Sequence, residues 1–260
     1  MLSYKAPLRD MRFVRDELLD FPALFASLPG CEDFTPDLID AILAEAAKFC
    51  ENVLAPLYRS GDEEGCTLTA QGVRAPAGFR EAYAQYVEGG WAALSSPAEY
   101  GGQGLPPSIS LVVEDLLGTA NWAWAMYPGL SHGATRTVKA HGTEEQKRIY
   151  LPKLVSGEWT GTMCLTEAHA GSDLGMLRTR AEPHADGSYR ITGTKIFISA
   201  GDHDMAENIV HIVLARLPDA PNGTKGISLF LVPKKLPRAD GSLAPNSVSC
   251  GSIEHKMGIN

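Results

Sequence analysis

The sequence predicts an α+β protein in which an all-α N-terminal domain precedes a small antiparallel β-barrel or sandwich. Apolar residues recur at helical spacing up to about Gly157. After Trp159, short runs rich in threonine, β-branched and aromatic residues alternate with turn signals. The apolar fraction, 44% of 260 residues, is ordinary for a globular chain and suffices for one large domain or two of usual size.

Residues 1–34 form a helical extension whose amphipathic stretch runs from Leu8 to Ser27. The helical domain, 35–158, opens at Thr35-Pro36-Asp37, an N-cap followed by proline at the first helical position. Leu38, Ile39, Ile42, Leu43, Ala46, Phe49, Val53 and Leu57 then follow at helical spacing. Helices are also expected over Ala75–Glu88, over Pro107–Thr119 and from Trp122 to about Ala140. The last starts at Thr143, which has the capping-box spacing to Gln146. Gly89-Gly90 and Gly101-Gly102-Gln103-Gly104 punctuate this half.

The β domain, 159–260, reads as strands over Thr160–Leu165, Leu177–Glu182, Ser188–Thr192, Lys195–Ser199, Ile209–Leu217, Gly226–Pro233 and Val248–His255. Asp186-Gly187 and Asn222-Gly223 supply turns. Lys256–Asn260 looks like the entry to another turn, and nothing follows to close that last sheet, as expected of a truncated chain.

The net charge is −8, without a long basic run, which argues against nucleic acid or an anionic membrane surface as partner. An anionic small molecule stays open, because backbone N–H groups and a few local cations can hold phosphates. Charged residues stand where a signal peptide needs an apolar core, and no apolar run approaches the roughly 20 residues that span a bilayer. The five cysteines, Cys31, Cys50, Cys66, Cys164 and Cys250, are scattered without a CxxC pair. That usage fits a reducing cytoplasm and opposes a disulfide framework or structural zinc.

The informative segment runs from Met163 to Asp173, Met-Cys-Leu-Thr-Glu-Ala-His-Ala-Gly-Ser-Asp. A strand ends in a small-residue loop with a hydroxyl at each end. Gly171 permits close backbone approach, and Thr166 and Ser172 offer hydroxyls to heteroatoms or phosphate oxygens. Taken alone, the segment serves equally well as a plain β-turn with an Asx-type cap at Ser172-Asp173.

Four stretches, however, resemble motifs of the acyl-CoA dehydrogenase family, in the family's order and spacing. Thr166–Asp173 is similar to Thr-Glu-Pro-x-Ala-Gly-Ser-Asp, and Gly193–Gly201 to Gly-x-Lys-x-Trp-Ile-Thr-Asn-Gly. Ser96–Gly104 resembles Pro-x-x-Tyr-Gly-Gly-x-Gly, and His141–Lys147 with Leu151-Pro152 resembles Gly-Thr-x-Glu-Gln-Lys…Leu-Pro. The start, Tyr4–Met11, is similar to the branch that contains 3-methylthiopropanoyl-CoA dehydrogenase.

The resemblance implies FAD as cofactor, an acyl-CoA substrate, electron-transfer flavoprotein as electron acceptor, and a homo-oligomer that shares FAD between subunits. It implies α,β-dehydrogenation of an acyl thioester, with hydride passing to flavin N5. Met163, Leu165 and Thr166 would line the flavin ring, with the Thr166 hydroxyl near its pyrimidine end. Gly171 and Ser172 would lie toward the phosphates, with Ser172 also approaching the acyl-CoA. Phe197 stands for the usual tryptophan beside the ring, Ile198 follows it, and Ser199 stands for the threonine that meets N5. Ala168-His169 departs from the common Pro-Gly. The catalytic carboxylate belongs to a C-terminal helical bundle, so no catalytic residue is expected here, and the isolated chain is expected to be inactive and to bind FAD weakly. A same-fold acyl-CoA oxidase or flavin monooxygenase, and a non-catalytic binding or assembly module, are the alternatives.

His203 in Gly201-Asp202-His203-Asp204 reads as part of a polar loop and His169 as a loop residue, since neither has a partner at metal-ligand spacing. Trp91, Trp122, Trp124 and Tyr127 read as helical core, with Tyr127 also a candidate for the acyl pocket.

Overall fold

The computed structural model describes residues 3–255. Two compact units divide the chain, Met1–Gly65 with Pro76–Met126, and Cys66–Ala75 with Tyr127–Asn260.

In the first unit the expected stretch from Leu8 to Ser27 is broken into α1 (Leu8–Arg12), a π-helical turn over Phe13–Leu18, and α2 (Phe21–Ser27). Asp20 sits at φ +47° and its carboxylate accepts from Ala23 N at 3.3 Å, so a new helix starts there with Pro22 in its first turn. Thr35 caps α3 (Pro36–Phe49), accepting from Leu38 N at 3.4 Å. Next come a π-helical turn over Cys50–Leu54, α4 (Leu57–Glu64), α5 (Phe79–Glu88) and α6 (Pro107–Ala120). The start of α5 is later than expected because Pro76 and left-handed Gly78, φ +85°, precede it.

Asn121, fully buried, caps α7 (Trp122–His141): its Oδ1 accepts from Trp124 N at 3.1 Å and its Nδ2 donates to Leu54 O at 3.2 Å. Trp124 is the centre of this core, packed against Phe49, Tyr83 and Tyr86 at ring separations of 5.4–6.4 Å. Its indole donates to Phe79 O at 3.2 Å. Trp122, expected in the core, is 57% exposed, because residues two apart on a helix face opposite ways. In the Ser96–Gly104 loop a Cβ on Gly102 would meet Ser96 O at 1.9 Å, so only glycine fits.

The second unit opens with a hairpin, β1 (Thr67–Thr69) and β2 (Gly72–Arg74). After the later turns of α7 comes α8 (Glu144–Ser156), with the expected capping box: Gln146 N donates to Thr143 Oγ1 at 3.2 Å, and Thr143 N to Gln146 Oε1 at 2.8 Å. The strands that follow are β3 (Trp159–Cys164), β4 (Arg180–Pro183), β5 (Tyr189–Thr192), β6 (Asn208–Ala215), β7 (Ser228–Pro233), β8 (Lys235–Pro237) and β9 (Leu243–Pro245). They form a three-stranded sheet in the order β3-β6-β7 and the hairpins β4-β5 and β8-β9. Among the described residues there is no closed barrel, and β3 and β6 pair in parallel, not antiparallel as expected. The long connection from Cys164 to Asn208 is what permits a parallel pair. β6 is central and buried along nearly its whole length, which explains its continuous apolar run.

Asp186-Gly187 makes the β4-β5 turn, with Asp186 Oδ1 accepting from Ser188 N and Oγ at 2.9 and 2.6 Å. Asp240-Gly241 makes the β8-β9 turn by the same chemistry with Ser242. The strand expected over Val248–His255 is absent, and Asn246 before it turns its amide back to Pro233 O at 2.8 Å. The turn expected at Lys256–Asn260 lies outside the described residues.

β3 lies very close to α7: a Cβ on Gly161 would meet Ala134 Cβ at 2.3 Å, and Gly161 N donates to Ser131 Oγ at 3.0 Å. Gly161→Ala is therefore expected to destabilise the chain by about 1–3 kcal/mol in urea denaturation. An unchanged midpoint would contradict this contact.

Candidate functional site

The loop after β3 and the segment 195–199 are joined by backbone and side-chain bonds. Thr162 Oγ1 donates to Ser199 O at 2.7 Å, and Ile196 N donates to Thr166 O at 2.9 Å. The loop itself closes through paired bonds between Glu167 and Ala170, at 2.9 and 3.0 Å. The strand expected over Lys195–Ser199 is not one. Phe197 and Ala200 take left-handed backbone, φ +55° and +53°, which a pleated strand does not accommodate. A bulky residue held there is strained and belongs to the class of positions that structures keep only under strong local constraint.

Met163, Leu165, Thr166, Ile198 and Ser199 are half-buried, whereas Gly171, Ser172 and Phe197 are exposed, Phe197 at 46%. Gly171 has open space about it, a Cβ there meeting only Thr166 Cγ2 at 3.7 Å. Beyond Ser172, Asp173 Oδ1 accepts from Gly175 N at 2.9 Å. Arg216 then clamps the loop by donating to Leu177 O, Pro221 O and Gly175 O at 3.0, 3.0 and 2.5 Å. His169 Nε2 lies 3.2 Å from Met176 O, which ties the two limbs of the loop together.

Glu167 and Lys195 stand inside motifs that the sequence marks, yet their role there was missed. Glu167 is buried and accepts from Arg178 N, Thr179 N, Thr179 Oγ1 and Lys195 Nζ at 2.7, 2.9, 2.6 and 2.9 Å. Lys195 Nζ also donates to Leu165 O at 3.0 Å. Burial alone would raise the Glu167 carboxyl, but the bonds from Lys195, Thr179 and Arg178 outweigh it and bring the value down to about 2. The signal was available in the sequence: a glutamate inside an otherwise small, neutral loop needs a cation.

A cavity of about 250 Å³ opens beside the loop, lined by Glu167, His169, Arg178, Thr179, Thr194 and Ile196 among others. None of the eight residues that the resemblance assigns to the flavin lines it.

A buried polar layer supports the segment after Ser199. His203 Nδ1 accepts from Met205 N at 3.2 Å, so its proton is on Nε2, which donates to Thr160 Oγ1 at 3.0 Å. Burial lowers the imidazole to about 4, so it is neutral at physiological pH. Asp202 accepts from Val73 N at 3.2 Å and pairs with Lys234, while Asp204 accepts from Ala75 N at 3.0 Å. Tyr127 is buried with its ring edge-on to His203, at 5.2 Å between centroids. Cys164 is held as an unreactive thiol, pushed up to about 12 by burial. Among the described residues no group of His, Cys, Asp and Glu could hold a metal ion, and no helix is long and apolar enough to cross a membrane.

Comparison with known proteins matches residues 37–158 to the acyl-CoA dehydrogenase N-terminal domain and residues 162–260 to the acyl-CoA dehydrogenase middle domain. The 3-methylmercaptopropionyl-CoA dehydrogenase of Ruegeria pomeroyi is 44% identical over 259 residues, 99% of this chain and 44% of that protein. An acyl-CoA dehydrogenase structure from Geobacillus kaustophilus is 28% identical with a TM-score of 0.63, over 77% of this chain and 49% of that one. An acyl-CoA dehydrogenase complexed with FAD, from Bacillus anthracis, is 27% identical with a TM-score of 0.62, over 78% of this chain and 32% of that one. The chain spans less than half the length of the curated relatives it matches first. Two domain models in consecutive order, one on the helical half and one on the β half, establish that the chain belongs to the acyl-CoA dehydrogenase family.

Proposed function

We propose that this chain supplies the flavin-ring side of an FAD-dependent acyl-CoA dehydrogenase that oxidises the α,β bond of an acyl-CoA thioester. The observation that carries this reading is the junction of the 166–172 loop with the 195–199 segment through the Ile196–Thr166 and Thr162–Ser199 bonds. The residues present fit one face of a flavin. Met163, Leu165, Ile198 and the exposed Phe197 ring offer apolar surface to a planar tricycle, and the Thr166 and Ser199 hydroxyls offer polar contacts at its edge. Gly171 and Ser172, exposed and unencumbered, suit the phosphate side, with Ser172 also toward the acyl-CoA.

FAD, when bound, supplies the hydride acceptor. This chain's own contribution is to bind and orient: Phe197 would offer its ring to the flavin and Thr166 and Ser199 their hydroxyls, while the Arg216 and Glu167 bonds hold the loop that carries Thr166. No residue of this chain is assigned as the base that takes the α-proton; the resemblance puts that carboxylate on a C-terminal bundle. The full-length parent would pass electrons to electron-transfer flavoprotein, act in the cytoplasm and assemble as a homo-oligomer. Identity to the Ruegeria pomeroyi enzyme supports a short thioether acyl-CoA as the substrate class.

Titration of FAD with the chain, followed by quenching of flavin fluorescence, tests the reading. Phe197→Ala is expected to weaken the binding about tenfold, the magnitude of a lost aromatic contact. If FAD fluorescence stays unchanged even at chain concentrations high enough to fill the weak site expected of the isolated chain, the reading fails.

A further inference from the structure

We propose that Lys195 is a positioning residue for the flavin loop and keeps its charge balanced; this rests on the flavin reading above. Lys195 is nearly buried, its side chain 9% exposed, and Glu167 is 5% exposed. Its ammonium divides itself between Glu167 Oε1 at 2.9 Å and Leu165 O at 3.0 Å.

The first bond concerns charge. The other donors to Glu167, Arg178 N, Thr179 N and Thr179 Oγ1, are neutral dipoles. His169 stands farther off, at 3.5 Å from Oε2, with its Nε2 proton directed at Met176 O. Lys195 is thus the fixed cation that neutralises Glu167 among the described residues. Glu167 follows Thr166 in the loop assigned to the flavin, and an uncompensated buried carboxylate within that loop would oppose a reduction that adds negative charge to a ring bound there.

The second bond concerns direction. A trans peptide points its C=O and the following N–H to opposite sides. With Leu165 O held by Lys195, the Thr166 N–H faces away from the ammonium. The following carbonyl, Thr166 O, is taken by Ile196 N. Lys195 and the residue beside it in sequence therefore set two consecutive peptide planes of the loop. A neutral side chain of similar length would release the first plane and leave Glu167 without a cation.

The test uses the chain loaded with FAD and three variants: Lys195→Met, Glu167→Gln, and both together. Circular dichroism establishes that each is folded, and the readouts are FAD affinity and the midpoint potential of the bound flavin. Lys195→Met is expected to weaken FAD binding at least tenfold and to disfavour the reduced form by a further factor of ten, about 30 mV for a two-electron couple. Glu167→Gln is expected to move the potential the opposite way. The double variant should return the potential toward the starting value while affinity stays low, because Leu165 O remains unheld. A purely structural role would move stability and affinity without these opposed potentials. Unchanged affinity and potential in folded Lys195→Met, or both single variants shifting the potential in one direction, overturn the proposal. If Lys195→Met does not fold, Glu167→Gln decides, and an unchanged potential in it overturns the proposal. A parent chain that does not bind FAD instead sinks the flavin reading, and this inference with it.

Discussion

Glu167→Ala is expected to destabilise the chain by about 3–5 kcal/mol, the range for removing one partner of a buried ion pair. The carboxylate is 5% exposed and is the acceptor for Arg178 N, Thr179 N, Thr179 Oγ1 and Lys195 Nζ. Truncation orphans all four donors and leaves an ammonium with Leu165 O as its remaining acceptor among the described residues. An exposed pair is worth no more than about 1 kcal/mol, so the two expectations are well separated. Urea denaturation of the variant measures it, and a loss under about 1 kcal/mol would show the cluster to be effectively solvated. Hydrogen exchange adds a local readout: the Arg178 and Thr179 amides should lose protection before the β6-β7 ladder does.

Stability is expected to fall continuously as pH drops from about 6.5 to about 2, through two groups acting in succession. His203 is lowered by burial from 6.5 to about 4, so between those values the unfolded chain binds a proton that the folded chain refuses. Stability therefore rises with pH across that window, and acidification through it removes about 3 kcal/mol. Glu167 is depressed from 4.5 to about 2, so its contribution is present above 4.5 and is lost as pH falls toward 2, again about 3 kcal/mol. Denaturation midpoints at several pH values give the profile. His203→Gln should flatten the limb between 6.5 and 4 and leave the lower limb intact. A parent profile that is level from 6.5 to 4 would mean that His203 is accessible to protons in the folded state.

Legibility in the sequence followed range. The Thr143 capping box, the Thr35 cap and the Asp186-Gly187 turn were readable because donor and acceptor lie within three residues of each other. Asp240-Gly241 is equally local, but its flanking strands, Lys235–Pro237 and Leu243–Pro245, are only three residues each and too short to stand out in composition. The break in the Leu8–Ser27 stretch was also local, since Pro22 and the short polar Asp20 mark a restart. The stretch around Phe197 misleads, because Ile196-Phe197-Ile198 has strand composition, while in the fold Phe197 takes left-handed backbone between Ile196, whose N–H donates to Thr166 O, and Ser199, whose carbonyl accepts from Thr162.

By itself the sequence determined the helical half, the β half, their order, and the four motif-bearing stretches that resemble the acyl-CoA dehydrogenase family. Only the tertiary structure decided that β3 and β6 run parallel, that Lys195 answers Glu167 across 28 positions of chain, and that His203 stays neutral. The division has a physical basis. Caps and turns are satisfied by neighbours a few residues away, whereas the charge state and orientation of a buried group depend on whatever packing brings against it, and sequence spacing carries no record of that.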